Sequence, residues 1–202
     1  QNNILPIFSS HYSIGKAILT LEPSEDNIDG NKPVSIFNVL KKHNVKDLYL
    51  CETSFAGFVQ AYKQSIKEDI NLRFGIKFVI CLNCEDKTPN SLLTENKVIV
   101  WMKNSNGYKD LIKLYSKIHA NEENFYYQGR GDWNLLKEYW TDNLLLTIPF
   151  YDSFLFNNLM CYRHAAVPDF SFTTPILMKE SLHGLPFDDI INNAIDEYTT
   201  SN

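Results

Sequence analysis

The sequence predicts an α/β fold built on a parallel sheet, and three observations support this. Short apolar runs of strand length alternate with segments whose apolar residues recur at helical spacing. The alternation continues for about 150 residues without an internal repeat. The chain has 202 residues, of which 44% are hydrophobic and 13% aromatic, and this is enough to build a sizeable core. Strands that alternate with helices form a parallel sheet, which is either open or closed into a barrel.

Each predicted strand corresponds to an apolar run of strand length, and each predicted helix to a segment with helical spacing or a helix-start signal. The predicted strands cover residues 4–8, 47–51, 74–82, 98–101 and 144–148. The predicted helices cover residues 35–43, 56–68, 107–119, 133–140, 152–159 and 186–198. Residues 56–68, for example, place Phe58, Val59, Tyr62 and Ile66 at helical spacing. Ser35 and Asp152 are the predicted N-caps of their helices, since a short polar side chain can accept a hydrogen bond from the first turn.

The charge balance argues against a protein whose whole surface attracts polyanions. The chain has 19 basic and 24 acidic residues and a formal net charge of -5. Any contact with DNA is therefore expected to be local or to come from another domain. No apolar run approaches the ~20 residues that span a bilayer, and no signal-peptide pattern stands at the N-terminus. A cytoplasmic location, in a bacterial cell or a phage-infected bacterium, is the expectation.

The four cysteines include one short motif, Cys81-Leu-Asn-Cys84. A CxxC pair can be half of a zinc site or a redox pair, but a second CxxC and a nearby His-x-x-x-His are both absent from the sequence. A chain of this size with a good core does not need disulfides. Reduced thiols are therefore expected.

Three phrases of the sequence carry a family resemblance. They are Ala56-Gly-Phe-Val-Gln-Ala-Tyr-Lys63, Gly75-Ile-Lys-Phe-Val-Ile80 and Lys103-Asn-Ser-Asn-Gly-Tyr-Lys-Asp-Leu-Ile-Lys-Leu-Tyr-Ser116. They resemble the FGAVEFYK, GIKPIIG and KNxxGYxNLxKLxS segments of the PHP (polymerase and histidinol phosphatase) domain of the bacterial-type DNA polymerase III alpha family. The third phrase is the most specific. The resemblance covers about residues 1–150 and implies one PHP-like domain over residues 1–202, with 151–202 as a C-terminal extension, folded as a distorted βα barrel related to the TIM barrel.

The resemblance also implies where a metal site would lie. In the family, metal ligands stand at the C-terminal ends of strands, as is usual in such barrels, and the first strand carries an HxHxHS motif. Leu5, Ile7 and Ser9 stand at those His positions. The alkyl side chains of Leu5 and Ile7 cannot bind a metal, so we expect them to pack in the core.

The later ligand positions of the family fall on Glu52, Asn83 and Lys97. Of these three, Glu52 is the one with a carboxyl group that could bind a metal. The resemblance therefore implies a degenerate domain in which these positions are vestigial, with no catalytic residue, metal or cofactor expected. A residual site of His11, Glu52 and Asp152 is the alternative, and Zn, Mn or Mg would then be its cofactor. The competing interpretation is that these are partly exposed polar residues at strand ends.

One helical segment offers a basic face. Lys109, Lys113 and Lys117 recur every four residues, which places them on one side of residues 107–119, and all three are expected to be exposed. They could contact a nucleic acid backbone. A solvated face without a ligand is the other interpretation.

Two functions of different classes remain open. The first is a non-catalytic structural and interaction module of a replicative DNA-directed DNA polymerase, a nucleotidyltransferase active in DNA replication. Its partners would be the remainder of the polymerase, accessory subunits and, indirectly, primer-template DNA, with no membrane. The second is an active metal-dependent phosphoesterase or 3′–5′ proofreading exonuclease, which requires metals that activate water and compensate the phosphate charge.

Overall fold

The structure is a computed structural model, and it describes residues 5–22, 33–159, 168–179 and 186–201. The chain divides into two compact units, Gln1–Lys77 and Phe78–Asn202. The division falls inside a strand, which therefore contributes its first part to one unit and its end to the other.

The first unit is built on parallel strands with helices between them. Its elements are β1 (Ile7–Phe8), α1 (Ile36–Lys42), β2 (Asp47–Glu52), α2 (Phe58–Lys67) and the first part of β3 (Asn71–Cys81). β2 pairs in parallel with β1 on one side and with β3 on the other. Leu50 and Phe74 stand opposite each other in neighbouring strands, and both are fully buried. Alternation of side chains along each strand brings such residues to the same core.

Helix α1 begins one residue after Ser35, as predicted, but the serine hydroxyl does not cap it. Ser35 lies at the N-cap position without a side-chain capping bond, and its hydroxyl is buried without a partner among the described residues. The backbone of a preceding segment acts instead: the N–H of Ile36 donates to the carbonyl oxygen of Thr20 at 2.9 Å. The predicted position of Ser35 at the N-cap is therefore confirmed, and the predicted hydrogen bond from its side chain is wrong.

The second unit holds the remaining elements. The strands after β3 are β4 (Asn96–Met102), β5 (Phe125–Tyr126), β6 (Gln128–Gly129), β7 (Gly131–Asp132), β8 (Leu144–Ile148) and β9 (Ile176–Leu177). The helices are α3 (Pro89–Leu92), α4 (Ser105–His119), α5 (Trp133–Tyr139), α6 (Phe154–Leu159) and α7 (Pro186–Ser201). β5 and β6 form a small antiparallel hairpin.

The strand pairs of the second unit are mixed. The end of β3 pairs in parallel with β7, and β8 pairs in parallel with β9. β4 and β8, in contrast, run antiparallel, with Trp101 opposite Leu145. The Trp101 indole N–H donates to the Thr147 hydroxyl at 2.9 Å, so this buried polar group is satisfied inside the core.

The predicted α/β class with mostly parallel strands is confirmed, and it is compatible with the distorted βα barrel that the resemblance implies. The predicted strands 47–51 and 144–148 agree with β2 and β8 to within one residue at each end. The antiparallel pair formed by β4 and β8 corrects the expectation of parallel strands throughout. In the first predicted strand, residues 7–8 are a strand and residue 4 lies outside the described residues.

Asp152 does not cap the helix that follows it, which corrects a second prediction. Its backbone has a φ of 63°, in the left-handed region, and α6 begins two residues later at Phe154. The hydroxyl of Ser153 accepts a hydrogen bond from the Phe156 N–H at 3.4 Å and so takes the capping role. The Asp152 carboxylate instead forms an ion pair with Lys97.

The start of α4 gives a physical reason for the most specific family phrase. Asn104 is the N-cap, and its side chain accepts a hydrogen bond from the Gly107 N–H at 2.9 Å. A Cβ atom on Gly107 would stand 2.5 Å from the carbonyl oxygen of Asn143. That oxygen also accepts the Lys103 N–H at 2.9 Å, so its position is constrained. Glycine is therefore required where α4 approaches the chain before β8.

We expect Gly107→Ala to lower the free energy of unfolding by about 2 kcal/mol, because the added methyl group overpacks this contact. This should exceed the gain of about 1 kcal/mol that alanine has over glycine in a helix. Urea unfolding followed by circular dichroism measures the change. Asn106→Ala, at the neighbouring exposed position of the same helix, is the control and should change stability by no more than about 0.5 kcal/mol. Equal stability of Gly107→Ala and the parent would contradict the prediction.

Candidate strand-end site

In the first unit, the end of β2 is organised around the carboxyl group of Glu52, which is buried. The Ser10 N–H donates to Glu52 Oε1 at 2.7 Å, and the Ser13 hydroxyl donates to Glu52 Oε2 in a short hydrogen bond. The Ser13 hydroxyl in turn accepts the N–H of Thr53 at 3.0 Å. Both oxygens of Glu52 are thus used to hold the segment after β1 against the end of β2.

The residues that the resemblance aligns with the first-strand ligands are not buried in the core. Leu5 is 60% exposed and Ile7 is 38% exposed, so the expectation that both pack in the core is wrong. The physical reason is that β1 is only two residues long and stands at the edge of its unit's strand order. The Ser9 hydroxyl donates to the carbonyl oxygen of Cys51 at 2.7 Å, so it joins β1 to β2.

The three residues of the predicted residual metal site have other partners. His11 is exposed, its Nδ1 lies 3.3 Å from the Leu19 carbonyl oxygen, and Glu52 is occupied as described. In the second unit, Asp152 forms an ion pair with Lys97 at 3.1 Å. Lys97 also donates its backbone N–H to the Asp152 carbonyl oxygen at 2.7 Å. Lys97, which the resemblance aligns with the fourth-strand ligand, is thus a cation paired with an acidic side chain.

The second unit has a polar cavity of about 520 Å³ at the carboxyl ends of β3 and β7. Its lining carries four acidic side chains, four amides and one amine, contributed by Glu85, Glu123, Asp132, Glu138, Asn83, Asn121, Asn124, Asn134 and Lys117. The side chain of Asn83, which the resemblance aligns with the third-strand ligand, accepts the Glu85 N–H at 3.0 Å. Ligands of α/β proteins bind outside the carboxyl ends of the strands, so the cavity lies where a site is expected.

Sequence reasoning missed Asp132, which organises the wall of this cavity. Its Oδ1 accepts the Leu135 N–H at 2.9 Å and caps α5, while its Oδ2 accepts the N–H and the thiol of Cys84, both at 3.3 Å. Burial, and then the hydrogen bond to Asp132, raises the pKa of the Cys84 thiol to about 12. Burial raises the pKa of Cys81 to about 11.

Both thiols of the Cys81-Leu-Asn-Cys84 motif are free. With pKa values this far above neutrality they stay protonated near pH 7. The thiolate is the form that binds metals and attacks disulfides. Without a bound metal, the raised pKa values disfavour the thiolate that a redox role requires.

A buried arginine is the other feature that sequence reasoning did not find. The Arg130 guanidinium is fully buried, donating to the Ser91 hydroxyl at 2.9 Å, to Glu95 Oε1 at 3.3 Å and to the Asp86 carbonyl oxygen at 2.7 Å. It also lies 5.1 Å from the centre of the Tyr126 ring. Arg130 thus ties the segment between β3 and β4 to the β5–β6 hairpin. The flanking Gly129 and Gly131 are the only hint in the sequence, and they do not reveal the partners.

The lysine face of α4 is only partly as predicted. Lys109 and Lys113 are exposed. Lys117 is half-buried: its amine lies 5.9 Å from the centre of the Tyr139 ring, and it lines the cavity. The expectation that all three are exposed is therefore wrong for Lys117, because the chain after α4 packs beside its end.

The side chains at the positions that the resemblance aligns with metal ligands do not suit a metal cluster. Leu5 and Ile7 are hydrocarbons, Lys97 is a cation, and the oxygens of Glu52 are engaged by Ser10 and Ser13. Within the described parts of the chain, no group of three or more His, Cys, Asp or Glu side chains could hold a metal ion. No catalytic step can therefore be derived through a metal from these residues.

These observations define an α/β protein whose strands are mostly parallel and whose polar side chains gather at the carboxyl ends of strands. Residues 29–167 match the PHP domain family, which covers more than half of the chain. The chain therefore belongs to the PHP domain family, a superfamily of metal-dependent phosphoesterase type. The matched segment begins after β1. No curated protein matches the chain. None of the described helices is long and apolar enough to cross a membrane.

Proposed function

We propose that this PHP domain has lost phosphoester hydrolysis and acts as a structural and interaction module of a replicative DNA polymerase of the polymerase III alpha type. The observation that supports the loss of catalysis is the hydrogen bonding of Glu52. Both oxygens of this buried carboxyl group are taken by donors of the chain itself, the Ser10 N–H and the Ser13 hydroxyl. A buried carboxyl group used in this way stabilises the fold, and a metal ion would have to displace or share oxygens that already accept hydrogen bonds from the chain.

The association with a polymerase is supported by the phrase at residues 103–116, which resembles the polymerase branch of the family. The roles of its residues are structural: Asn104 caps α4, and Gly107 permits the close approach to Asn143. The chain keeps residues that the fold needs and lacks the metal ligands that the resemblance leads us to expect. This combination suits a domain with a structural role. Its partners would be the remainder of the polymerase and accessory subunits in a bacterial cytoplasm. Lys109 and Lys113 would contribute at most a local contact with primer-template DNA.

The expected result of a direct assay is no metal-dependent hydrolysis. The whole chain would be incubated with bis-p-nitrophenyl phosphate and with 3′-labelled primer-template DNA in Mn²⁺, Zn²⁺ or Mg²⁺. Turnover should equal that of the Glu52→Ala variant and of buffer, because the vestigial residues cannot hold the ions that activate water. A parallel titration calorimetry experiment should find no stoichiometric Mn²⁺ or Zn²⁺ binding.

The alternative function, a metal-dependent phosphoesterase or 3′–5′ exonuclease, has one observation in its favour. The cavity at the ends of β3 and β7 is polar and carries four acidic side chains. If the assay detects hydrolysis, variants distinguish the two locations. Loss of activity in Glu52→Ala or His11→Ala would indicate the residual strand-end site, and loss in Glu85→Gln or Glu138→Gln would indicate the cavity. Either outcome would refute the proposed loss of catalysis.

A further inference from the structure

Helix α5 lies between the polar cavity and a later segment of the chain. Its residues Asn134, Leu135 and Glu138 line the cavity. Trp133 and Lys137 lie on the opposite side of the helix, since residues four apart share a face. A helix of seven residues is marginally stable on its own, so its position depends on the groups that pack against it.

The outer side of α5, away from the cavity, is covered by residues 168–172, which we call the strap. The ring of Phe170 packs edge-on against Trp133, with 5.6 Å between the ring centres. The ring of Phe172 packs in the same way against Trp140, the C-cap residue of α5, at 5.2 Å. Aromatic pairs of this geometry stabilise a contact beyond the area that they bury. The strap therefore holds both ends of the helix.

A polar contact joins the strap to the same side of α5 between the two ring pairs. The Lys137 amine donates to the Ser171 hydroxyl at 3.0 Å and lies 3.5 Å from the Asp169 carboxylate. The Ser171 N–H donates to Asp169 at 3.0 Å, so the two strap residues present their oxygens to one amine. The strap lies at the surface: Ser171 is exposed, and Asp169 and Phe170 are half-buried. Its contacts with α5 can therefore open without loss of the core.

On the cavity side, α5 is linked to the Cys84 thiol through Asp132. Asp132 caps the helix by accepting the Leu135 N–H, and its other oxygen accepts the N–H and the thiol of Cys84. Cys84 lines the cavity but is only 5% exposed. Because Asp132 stands at the start of α5, a displacement of the helix would remove the acceptor that holds this thiol. The thiol would then be accessible from the cavity.

We propose that the strap controls access to the end of the cavity where Cys84 lies. In this structure the strap is seated on α5 and Cys84 is covered. Release of the two phenylalanines frees the outer side of a short helix, which then moves away from Cys84 and widens the cavity at the ends of β3 and β7. The position of the strap thus sets the size of the site behind α5. This inference holds whether or not the domain has lost hydrolysis, so it does not depend on the proposed function.

Alkylation of Cys84 by iodoacetamide on the whole folded chain tests the proposal. Burial raises the pKa of this thiol to about 12, so the parent should react slowly at about pH 8. Phe170→Ala/Phe172→Ala removes both ring pairs and should raise the rate of Cys84 labelling by about tenfold or more. Fragment-ion mass spectrometry distinguishes Cys84 from Cys81. Hydrogen exchange of the backbone amides of residues 135–139 should accelerate in the same variant.

Two controls separate local opening from global unfolding. Cys51, in the first unit, has a buried thiol whose pKa is also raised to about 12, and its labelling should not change in the strap variant. Phe55→Ala removes a comparable ring contact in the first unit, with Phe74 at 5.6 Å, and should leave the labelling of Cys84 unchanged. An equal rise in Phe55→Ala would contradict the proposal, because the effect would not be specific to the strap.

A second variant serves if circular dichroism shows that the alanine variant does not fold. Asp169→Lys/Ser171→Ala keeps the strap rings, removes both acceptors of the Lys137 amine and places a like charge beside it. Labelling of Cys84 should then rise by about threefold. Equal labelling of Cys84 in the parent and in the folded strap variants would show that the strap does not hold α5. A parallel rise at Cys84 and Cys51 would show that only global unfolding exposes the thiol, and either result would overturn the proposal.

Discussion

Replacing Arg130 by methionine should lower the free energy of unfolding by about 3 kcal/mol or more. The guanidinium is fully buried and donates to Ser91, Glu95 and the Asp86 carbonyl oxygen. Methionine preserves much of the volume but has no donor, so Glu95 Oε1 and the Asp86 carbonyl oxygen lose the guanidinium, and Glu95 keeps only the Gln128 side-chain N–H on its other oxygen. Leaving one member of a buried polar network unpaired is costly. Urea unfolding, followed by tryptophan fluorescence and circular dichroism, measures the change.

Two further variants show whether the loss comes from the unpaired partner. Arg130→Met/Glu95→Gln should recover about 1 kcal/mol of stability relative to Arg130→Met, because the uncompensated charge is removed. Lys179→Met removes one partner of the exposed Lys179–Asp196 ion pair and should cost less than about 1 kcal/mol. If Arg130→Met were as stable as the parent, the buried guanidinium would make no net contribution to the fold.

Replacing Glu52 by alanine should lower the free energy of unfolding by about 3 kcal/mol, since two buried donors would lose their acceptor. The Ser10 N–H and the Ser13 hydroxyl both point to Glu52, and all three residues are buried. Glu52→Gln keeps the volume and one carbonyl oxygen and should cost less than Glu52→Ala. Chemical denaturation of the three proteins in a metal-free buffer checks the order of stabilities.

The control for Glu52 is Asp69→Asn. Asp69 is exposed and its ion pair with Lys46 lies at the surface, so the substitution should cost less than about 1 kcal/mol. The Glu52 result also separates a structural carboxyl group from a free metal ligand. Removal of a free ligand would leave stability in metal-free buffer unchanged or raised, and such a result would contradict the role assigned to Glu52.

The regular elements could be predicted where periodicity and length are sufficient. β8 and β2 are buried runs of strand length bounded by polar residues, and α4 has a long apolar stripe, so each is recognisable locally. β5, β6, β7 and β9 are two residues long, and a pair of residues has no period. The antiparallel pairing of β4 with β8 was not predicted, because the side-chain pattern of a strand does not identify its neighbour or its direction.

The candidate site could be predicted only in part. The resemblance singles out Glu52 by its position, but its partners Ser10 and Ser13 lie about forty residues earlier in the chain. Arg130 and Asp132 were missed because their hydrogen bonds depend on partners that only folding brings near. The burial of Leu5 and Ile7 was wrongly expected from their hydrophobicity, since an apolar residue on a short edge strand can remain exposed.

The sequence by itself determined the α/β class, the long helices and buried strands, the family resemblance and the absence of His from the residues that the resemblance aligns with the first-strand ligands. These are properties of residue type and local spacing, which need no knowledge of distant contacts. Tertiary structure alone decided what the remaining polar groups do. It hydrogen-bonds Glu52 to two serines, pairs Lys97 with Asp152 and buries Arg130. Hydrogen bonds and burial are made between segments far apart in the chain, and no local pattern encodes their geometry.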